Sequence, residues 1–157
     1  MKTIISNIKD KLNRANQRGA AAIEFALLLI PLMMIVTGII EFGRAFWYYD
    51  ALTKSTRDAA RFLSNARVST AVAIDATLKD QARTIVVNAA TLAQVPSFTT
   101  GDVDVDCDPD CDAPTYVTVS INAYPMTIGG WIPVFIPTGA TTWDTTFSPY
   151  TTMRYMR

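Results

Sequence analysis

The sequence predicts an α+β protein: a long N-terminal helix with a membrane-embedded first half, a second amphipathic helix and a small antiparallel β-sheet. Three observations lead to this fold class. An apolar run extends from Ala20 to Ile40 with a single charged residue inside it. Apolar residues then recur every three or four positions to about residue 92. From about residue 102 apolar and polar residues alternate instead, which is typical of strands.

The apolar run Ala20–Ile40 has the length of one membrane span. A helix of this length rises about 32 Å, which matches a hydrocarbon core of about 30 Å. A secretory signal peptide has a shorter apolar core, and a buried core helix of this length would be too uniform for so small a domain. The sequence therefore favours a transmembrane helix that is retained in the protein.

Basic residues in front of the span predict its orientation. The first 18 residues contain only one acidic side chain and five basic ones, which are Lys2, Lys9, Lys11, Arg14 and Arg18. By the positive-inside bias, the N-terminus stays in the cytoplasm and the rest of the chain lies on the other side. We accordingly divide the chain into a basic leader at 1–19, a transmembrane helix with an interfacial aromatic cluster at 20–47, and an extracytoplasmic α+β domain at 48–157.

Glu24 is the one charged residue inside the span. A charge at the centre of a span costs about 2.5–3.5 kcal/mol on insertion scales, and less near its end. One interpretation is that Glu24 lies close enough to the interface to reach water. The other is that cleavage after Gly19 makes Ala20 a new amino terminus. The Glu24 carboxylate would then meet an α-amino group of its own or a neighbouring chain.

The segment RGAAAIEFALLLIP…GIIEFGRAFWYYDALTKSTRDAARF resembles the TadE-like minor pilins of the tight-adherence (Tad, Flp-type) pilus systems. The resemblance depends on a basic leader, a glycine, a glutamate shortly after it, a proline in the helix and an EFGR-like exit. The residues at the family positions are Glu24, Pro31, Glu41, Phe42, Gly43, Arg44, Ala59, Ala60 and Arg61. The Pro- and Gly-broken apolar loop and the terminal Thr/Met/Arg strand add weaker support.

This resemblance implies that a prepilin peptidase cuts between Gly19 and Ala20. The product would be a structural minor pilin or pseudopilin in the bacterial inner membrane or in the pilus, acting in assembly of a pilus used for adhesion or secretion. The implied partners are the peptidase, other pilin subunits, the pilus assembly machinery and the membrane. Major type IV pilins commonly begin with an N-methylated Phe or Met, whereas this mature chain would begin with Ala20.

The helix is expected to bend in the membrane and to continue beyond it. Pro31 removes one backbone hydrogen bond and predicts a kink, and Glu41 and Arg44 are spaced to pair. Aromatic residues 46–49 lie where Trp and Tyr prefer the lipid–water boundary. Beyond them an apolar stripe predicts an amphipathic continuation; it comprises Tyr49, Leu52, Thr56, Ala59, Leu63 and Ala66.

The remaining elements follow from the change in periodicity. A break near residues 68–70 precedes a second helix from about Val72 to Leu92, with an apolar face of Ile74, Leu78, Ala82, Ile85, Ala89 and Leu92. Alternation over residues 102–106 and 116–122 predicts a hairpin. Residues 128–137 are apolar but broken by Gly and Pro, so we expect a loop on the domain or at the lipid surface. The end, residues 150–157, could return as a last strand.

Two features between the first two strands are candidate sites. Cys107 and Cys111, the only cysteines, predict a disulfide outside the cytoplasm. Aspartates occupy every second position from 102 to 112. In an extended chain they would share one face and repel one another, so they are either a solvated acidic loop tip or a weak calcium site. The oxygen ligands of that site would come from Asp102, Asp104, Asp106, Asp108 and Asp110.

Composition excludes several classes of function. The chain has no histidine, which removes the commonest general base and metal ligand. Its outer part is acidic overall, which argues against nucleic-acid binding. No phosphate-binding loop, dinucleotide turn or nucleophile elbow is present, so we predict no enzyme and no cofactor. The alternative to a pilin is an unprocessed single-pass membrane-anchored extracytoplasmic binding protein.

Overall fold

The computed structural model of the chain describes residues 2–66, 73–129 and 143–156, with side chains described from residue 20 onward. Helix α1 spans Lys2–Ser64 and helix α2 spans Ala76–Leu92; a short 3-10 helix at Thr100–Asp102 follows. The five strands are β1 Val103–Asp108, β2 Tyr116–Ile121, β3 Tyr124–Ile128, β4 Trp143–Phe147 and β5 Tyr150–Arg154. The predicted α+β class, with its long N-terminal apolar helix, is confirmed.

Helix α1 has two parts with different surroundings. It contains 63 residues and continues through Pro31 as one helix. From residue 20 to residue 40 nearly every side chain is exposed, and burial begins at Glu41 and Ala45. In the second part the predicted stripe is largely confirmed, because Leu52, Ala59 and Leu63 are fully buried. Tyr49, which the prediction placed on the stripe, is exposed, and Tyr48 is buried at the start of this face instead.

Helix α2 begins later than its apolar pattern predicted. Asp75 caps it, since its carboxylate accepts a hydrogen bond of 2.8 Å from the Leu78 backbone N–H. Ile74 is buried but precedes the helix, and its N–H donates to the Cys111 carbonyl oxygen at 3.0 Å. The predicted start at Val72 is therefore wrong; Val72 and the break at 68–70 lie outside the described residues.

The buried face of α2 also differs from the prediction. Ala82 was correctly predicted to lie on this face. The other buried residues of the helix are Val86 and Ala90. Leu92 was placed on this face wrongly, because its side chain is 86% exposed. A spacing of four residues from Ala82 to Ala90 keeps small side chains against α1, where Ala59 and Ala60 are also fully buried. Small residues on both helices let their backbones approach closely, which places the core between α1, α2 and the sheet.

The larger sheet contains three antiparallel strands in the order β1-β2-β5. The predicted hairpin is confirmed, with Val105 opposite Val119 in the β1–β2 register. The predicted last strand is also confirmed, although it ends at Arg154 and lies beside the central strand β2. Apolar residues of β1 and β2 face the helices and are buried: Val103, Val105, Val117, Val119 and Ile121.

A second, two-stranded sheet was not predicted. Strands β3 and β4 pair in an antiparallel register that places Tyr124 opposite Phe147 and Ile128 opposite Trp143. Proline is unfavourable inside a sheet because it lacks the backbone N–H. In the described residues β3 pairs with β4 alone, so Pro125 lies on an edge strand, where proline is tolerated. Ile128, predicted to begin a loop, instead ends β3. Residues 130–137 of that predicted loop lie outside the described residues.

Candidate functional site

The first candidate surface is the apolar part of α1, residues 20–40. Large apolar side chains project from it all round, among them Ile23, Phe25, Leu28, Ile35 and Ile39, and each is more than half exposed. In the part of the chain that the structure describes, α1 is the helix long and apolar enough to cross a membrane, and its most apolar window has no buried residues. An exposed surface this apolar requires lipid or protein around it.

The predicted processing residues lie together on this helix. Gly19 and Ala20 are consecutive positions of α1, and Glu24 follows one turn after Ala20 with its side chain exposed. Four residues of helix rise about 6 Å, so an amine at Ala20 would lie within reach of the Glu24 carboxylate. Cleavage, the pairing of Glu24 and the kink at Pro31 remain predictions.

An ion pair lies where α1 meets the rest of the domain. The Arg44 guanidinium donates a hydrogen bond of 2.8 Å to the Glu41 carboxylate, which confirms the predicted pairing. The Glu41 side chain is only 2% exposed, and the Arg44 guanidinium carbon lies 6.0 Å from the centre of the Tyr48 ring. A buried carboxylate is stable only when paired and hydrogen-bonded, so this pair marks the level at which the folded domain begins to cover α1.

The predicted aromatic cluster divides into two groups. Phe46 and Trp47 are exposed, as expected for residues that meet lipid. Tyr48 is buried in the domain. Tyr49 makes an edge-to-face contact with Phe147, with 5.5 Å between ring centroids. Phe46 and Trp47 therefore point away from the domain, whereas Tyr48 and Tyr49 lie on the side of the helix that packs against it.

Tyr124 belongs to the structural framework beneath these aromatic residues, and the sequence analysis did not single it out. Its hydroxyl donates a hydrogen bond to the Pro96 carbonyl oxygen, and its ring packs on Phe98 at 5.5 Å. Burial raises the pKa of the Tyr124 hydroxyl, and Tyr48 and the Asp102 carboxylate raise it further. The hydroxyl thus serves as a neutral donor that attaches β3 to the segment after α2.

The acidic segment has one strong structural feature, the disulfide between Cys107 and Cys111, which was predicted. The aspartates do not share one face. Asp104, Asp106 and Asp108 alternate with buried residues of β1, so they lie on its outer face, whereas Asp110 and Asp112 follow the strand. Asp102 precedes the strand, in the 3-10 helix.

Several of these carboxylates already accept hydrogen bonds from the protein. Asp102 accepts from the Thr99 N–H at 2.7 Å, and Asp110 accepts from the Ala113 N–H at 2.8 Å. Among the described residues, no group of three or more His, Cys, Asp or Glu side chains is arranged to hold a metal ion. A calcium site in this segment remains a prediction that the geometry does not support.

The fold and the exposed helix define a class: a small α+β domain carried on one long apolar helix that has the properties of a single-pass membrane anchor. Within this class the chain is similar to TadE-like proteins, because residues 19–61 match the family model of that description. Searches of curated proteins and of solved structures returned no match. The matched segment contains the exposed apolar helix, the Glu41–Arg44 pair and the start of the domain core.

Proposed function

We propose that this chain is a structural minor pilin or pseudopilin that acts in assembly of a Tad-type pilus. The observation that carries the proposal is the match of residues 19–61 to TadE-like proteins, since this segment contains the exposed apolar helix and begins at the glycine of the proposed cleavage site. TadE-like proteins are generally structural components of a pilus system, which agrees with the lack of a catalytic motif in the sequence.

In the proposed mechanism, the prepilin peptidase removes residues 1–19 at the cytoplasmic side of the inner membrane. Ala20 then carries a free amine, one helical turn before Glu24. The Glu24 carboxylate pairs with this amine of its own chain or with that of a neighbouring chain. Attraction between the two charges is strong where the dielectric is low, so it offsets the cost of keeping a carboxylate in lipid. The apolar helix is held in lipid until it packs against other subunits, while the α+β domain remains on the extracytoplasmic side.

Intact-mass measurement of the native protein tests this proposal. The wild-type chain is expected to lack residues 1–19, and a Gly19→Val variant is expected to retain them because a bulky residue blocks cleavage. Gly38→Val is a matched control, since it makes the same change in the same helix where an added Cβ meets nothing within 4 Å. It should be processed like the wild type.

Identical full-length masses for the wild type and the Gly19→Val variant would overturn the proposal. The chain would then be an unprocessed single-pass anchored protein whose extracytoplasmic domain binds a partner. Shortening of both proteins by the same residues would also contradict the role of Gly19, because the cut would not depend on the glycine.

A further inference from the structure

The β3–β4 hairpin lies along the outer end of the apolar helix. Near its base, Phe147 contacts Tyr49 of α1. Toward the end of the two strands at Ile128 and Trp143, the sheet and the helix together form an open apolar groove of about 240 Å³. The groove is lined by Phe42, Ala45, Phe46 and Tyr49 from α1 and by Ile128, Thr145 and Phe147 from the hairpin.

The hairpin is long enough to reach the end of the apolar segment. From Phe147 to Trp143 the strand β4 rises about 13 Å at about 3.3 Å per residue. From Tyr49 to Phe42 the helix descends about 10 Å at about 1.5 Å per residue. Since Phe147 contacts Tyr49, and Ile128 and Phe42 line the same groove, the paired residues Ile128 and Trp143 lie level with Phe42.

Phe42 is only two residues beyond Ile40, where the 21-residue apolar run ends. A run of this length just spans the hydrocarbon core of a bilayer. The Ile128–Trp143 pair therefore lies at the height at which α1 emerges from lipid, in the layer where Trp and other aromatic side chains are enriched.

The side chains at this level are apolar and exposed. Trp143, the first residue of β4, is 67% exposed, and on α1 Phe42 and Phe46 are 67% and 66% exposed. The neighbouring charge on the hairpin, Asp144, accepts a hydrogen bond of 2.8 Å from the Thr127 hydroxyl. Exposed apolar side chains from two separate elements, at one height and next to a span, are typical of a surface that rests on a membrane.

We propose that the end of the β3–β4 sheet formed by Ile128 and Trp143 is a second membrane contact. Ile128 and Trp143, with Phe42 and Phe46 of α1, bind lipids of the leaflet from which α1 emerges, and acyl chains enter the groove between helix and hairpin. The occupant is lipid because the groove is continuous with the apolar surface of residues 20–40. This inference rests on the membrane span in the proposed function. The contact holds the domain at a fixed tilt, because a body attached to the bilayer at two separated points cannot rotate freely about α1.

Lipid quenching of a site-specific probe tests the proposal. The full chain is reconstituted in nanodiscs at no more than one copy per disc, with an environment-sensitive fluorophore on a single added cysteine, while the Cys107–Cys111 disulfide stays intact. The positions are Trp143→Cys and its control Tyr150→Cys; Tyr150 is 71% exposed on the three-stranded sheet. Ile39→Cys reports on the span.

Lipids that carry a quencher near the headgroup should quench the probe at position 143 several-fold more than the probe at position 150, and blue-shift its emission. Quenching at position 143 no greater than at position 150, with the position-39 probe quenched, would overturn the hairpin contact and leave the span intact. If the probe at position 143 has blue-shifted emission but is not quenched by the lipids, a protein occupies the groove. This result would also overturn the lipid contact. An unquenched probe at position 39 would contradict the span itself, and with it the membrane anchor of the proposed function.

Discussion

The Ser64 hydroxyl donates a hydrogen bond of 2.6 Å to the backbone carbonyl oxygen of Arg154, a residue 90 positions later in the chain. Two further bonds join the same regions, since the Met156 N–H donates to the Ser64 carbonyl at 3.0 Å and the Tyr155 hydroxyl donates to the Ala66 carbonyl at 2.6 Å. The C-terminal end of α1, whose apolar part at residues 20–40 is the proposed membrane span, is thereby attached to the last strand of the sheet.

Replacing Ser64 by Ala should lower the free energy of unfolding of the extracytoplasmic domain by about 1–3 kcal/mol, because the partly buried Arg154 carbonyl loses its donor. Chemical denaturation measures this loss. Ser55→Ala is a matched control: Ser55 is also buried on α1, but its hydroxyl donates locally to the Leu52 carbonyl at 2.8 Å. The Ser64 variant should lose more stability than the control. If both variants lose the same free energy of unfolding, the hydrogen bond from Ser64 to Arg154 contributes no more to stability than a local hydrogen bond of a buried hydroxyl.

The disulfide between Cys107 and Cys111 should contribute modestly to stability. Its sequence separation is four residues, and the entropy that a crosslink removes from the unfolded chain grows with loop length, reaching about 3 kcal/mol for a 15-residue loop. Replacing both cysteines by alanine should therefore reduce the free energy of unfolding by less than about 3 kcal/mol.

The effect of this double substitution should be local. The Cys111 carbonyl accepts the hydrogen bond from the Ile74 N–H that positions the chain before α2. Hydrogen exchange at the Ile74 amide should accelerate, whereas exchange in the middle of β2 should stay close to that of the wild type. Equal acceleration at both places would contradict the prediction, since the crosslink would then hold the whole domain.

Tyr124 should make the stability of the domain depend on pH in the alkaline range. The folded-state pKa of its hydroxyl is raised above the ordinary value of 10.0, first by burial and then by Tyr48 and Asp102. Because the pKa is raised on folding, the stabilising contribution of this hydroxyl is fully present below the unfolded-state pKa. It is lost as the pH rises through the folded-state pKa. The free energy of unfolding should therefore decrease as the pH rises above about 10.

The Tyr124→Phe variant checks this assignment. It lacks the ionisable hydroxyl and the hydrogen bond to Pro96, so it should be less stable at neutral pH and should show a smaller decrease in the alkaline range. Tyr150→Phe is the control, because Tyr150 is largely exposed. If the Tyr124→Phe and wild-type profiles stay parallel above pH 10, another group causes the alkaline loss.

The predictions of secondary structure and pairing were most accurate where a local sequence pattern is long and uninterrupted. The apolar helix at 20–40, the Glu41–Arg44 pair and the β1–β2 hairpin each depend on residues close together in the chain. The start of α2 was misplaced because its apolar pattern extends back through Ile74, whereas the Asp75 cap determines where the helix begins. The outward position of Leu92 was missed because the packing of small residues against α1 sets the rotation of α2.

Tertiary contacts explain what the sequence could not predict. Pro125 and the Gly- and Pro-containing stretch after Ile128 argue locally against strands, and only pairing with β4 stabilises β3 as an edge strand. The hydrogen bond from Tyr124 to Pro96 spans 28 positions and has no local signal. The groove at the base of the domain depends on the same pairing, so its lining by α1 and both strands could not be inferred from the periodicity of either strand.

Replacing Glu24 by Gln should separate cleavage from assembly. The variant keeps nearly the same side-chain shape but removes the charge that the proposed amine at Ala20 would meet. Intact mass should show that residues 1–19 are still removed, because Gly19 and the basic leader are unchanged. Co-purification with other pilin subunits should fall strongly, while a Glu24→Asp variant, which keeps the carboxylate, should retain part of it.

The outcomes of this comparison distinguish two roles of the carboxylate. If Glu24 simply reaches water near the interface, the neutral Gln side chain at position 24 costs less free energy in the membrane than an ionised carboxylate. Assembly of the Gln variant should then be unchanged or improved. If it pairs with a new amino terminus, its loss leaves an ammonium group in a medium of low dielectric without its counter-charge, which is the more costly state. Normal assembly of the Gln variant would therefore contradict the pairing even where cleavage after Gly19 is found.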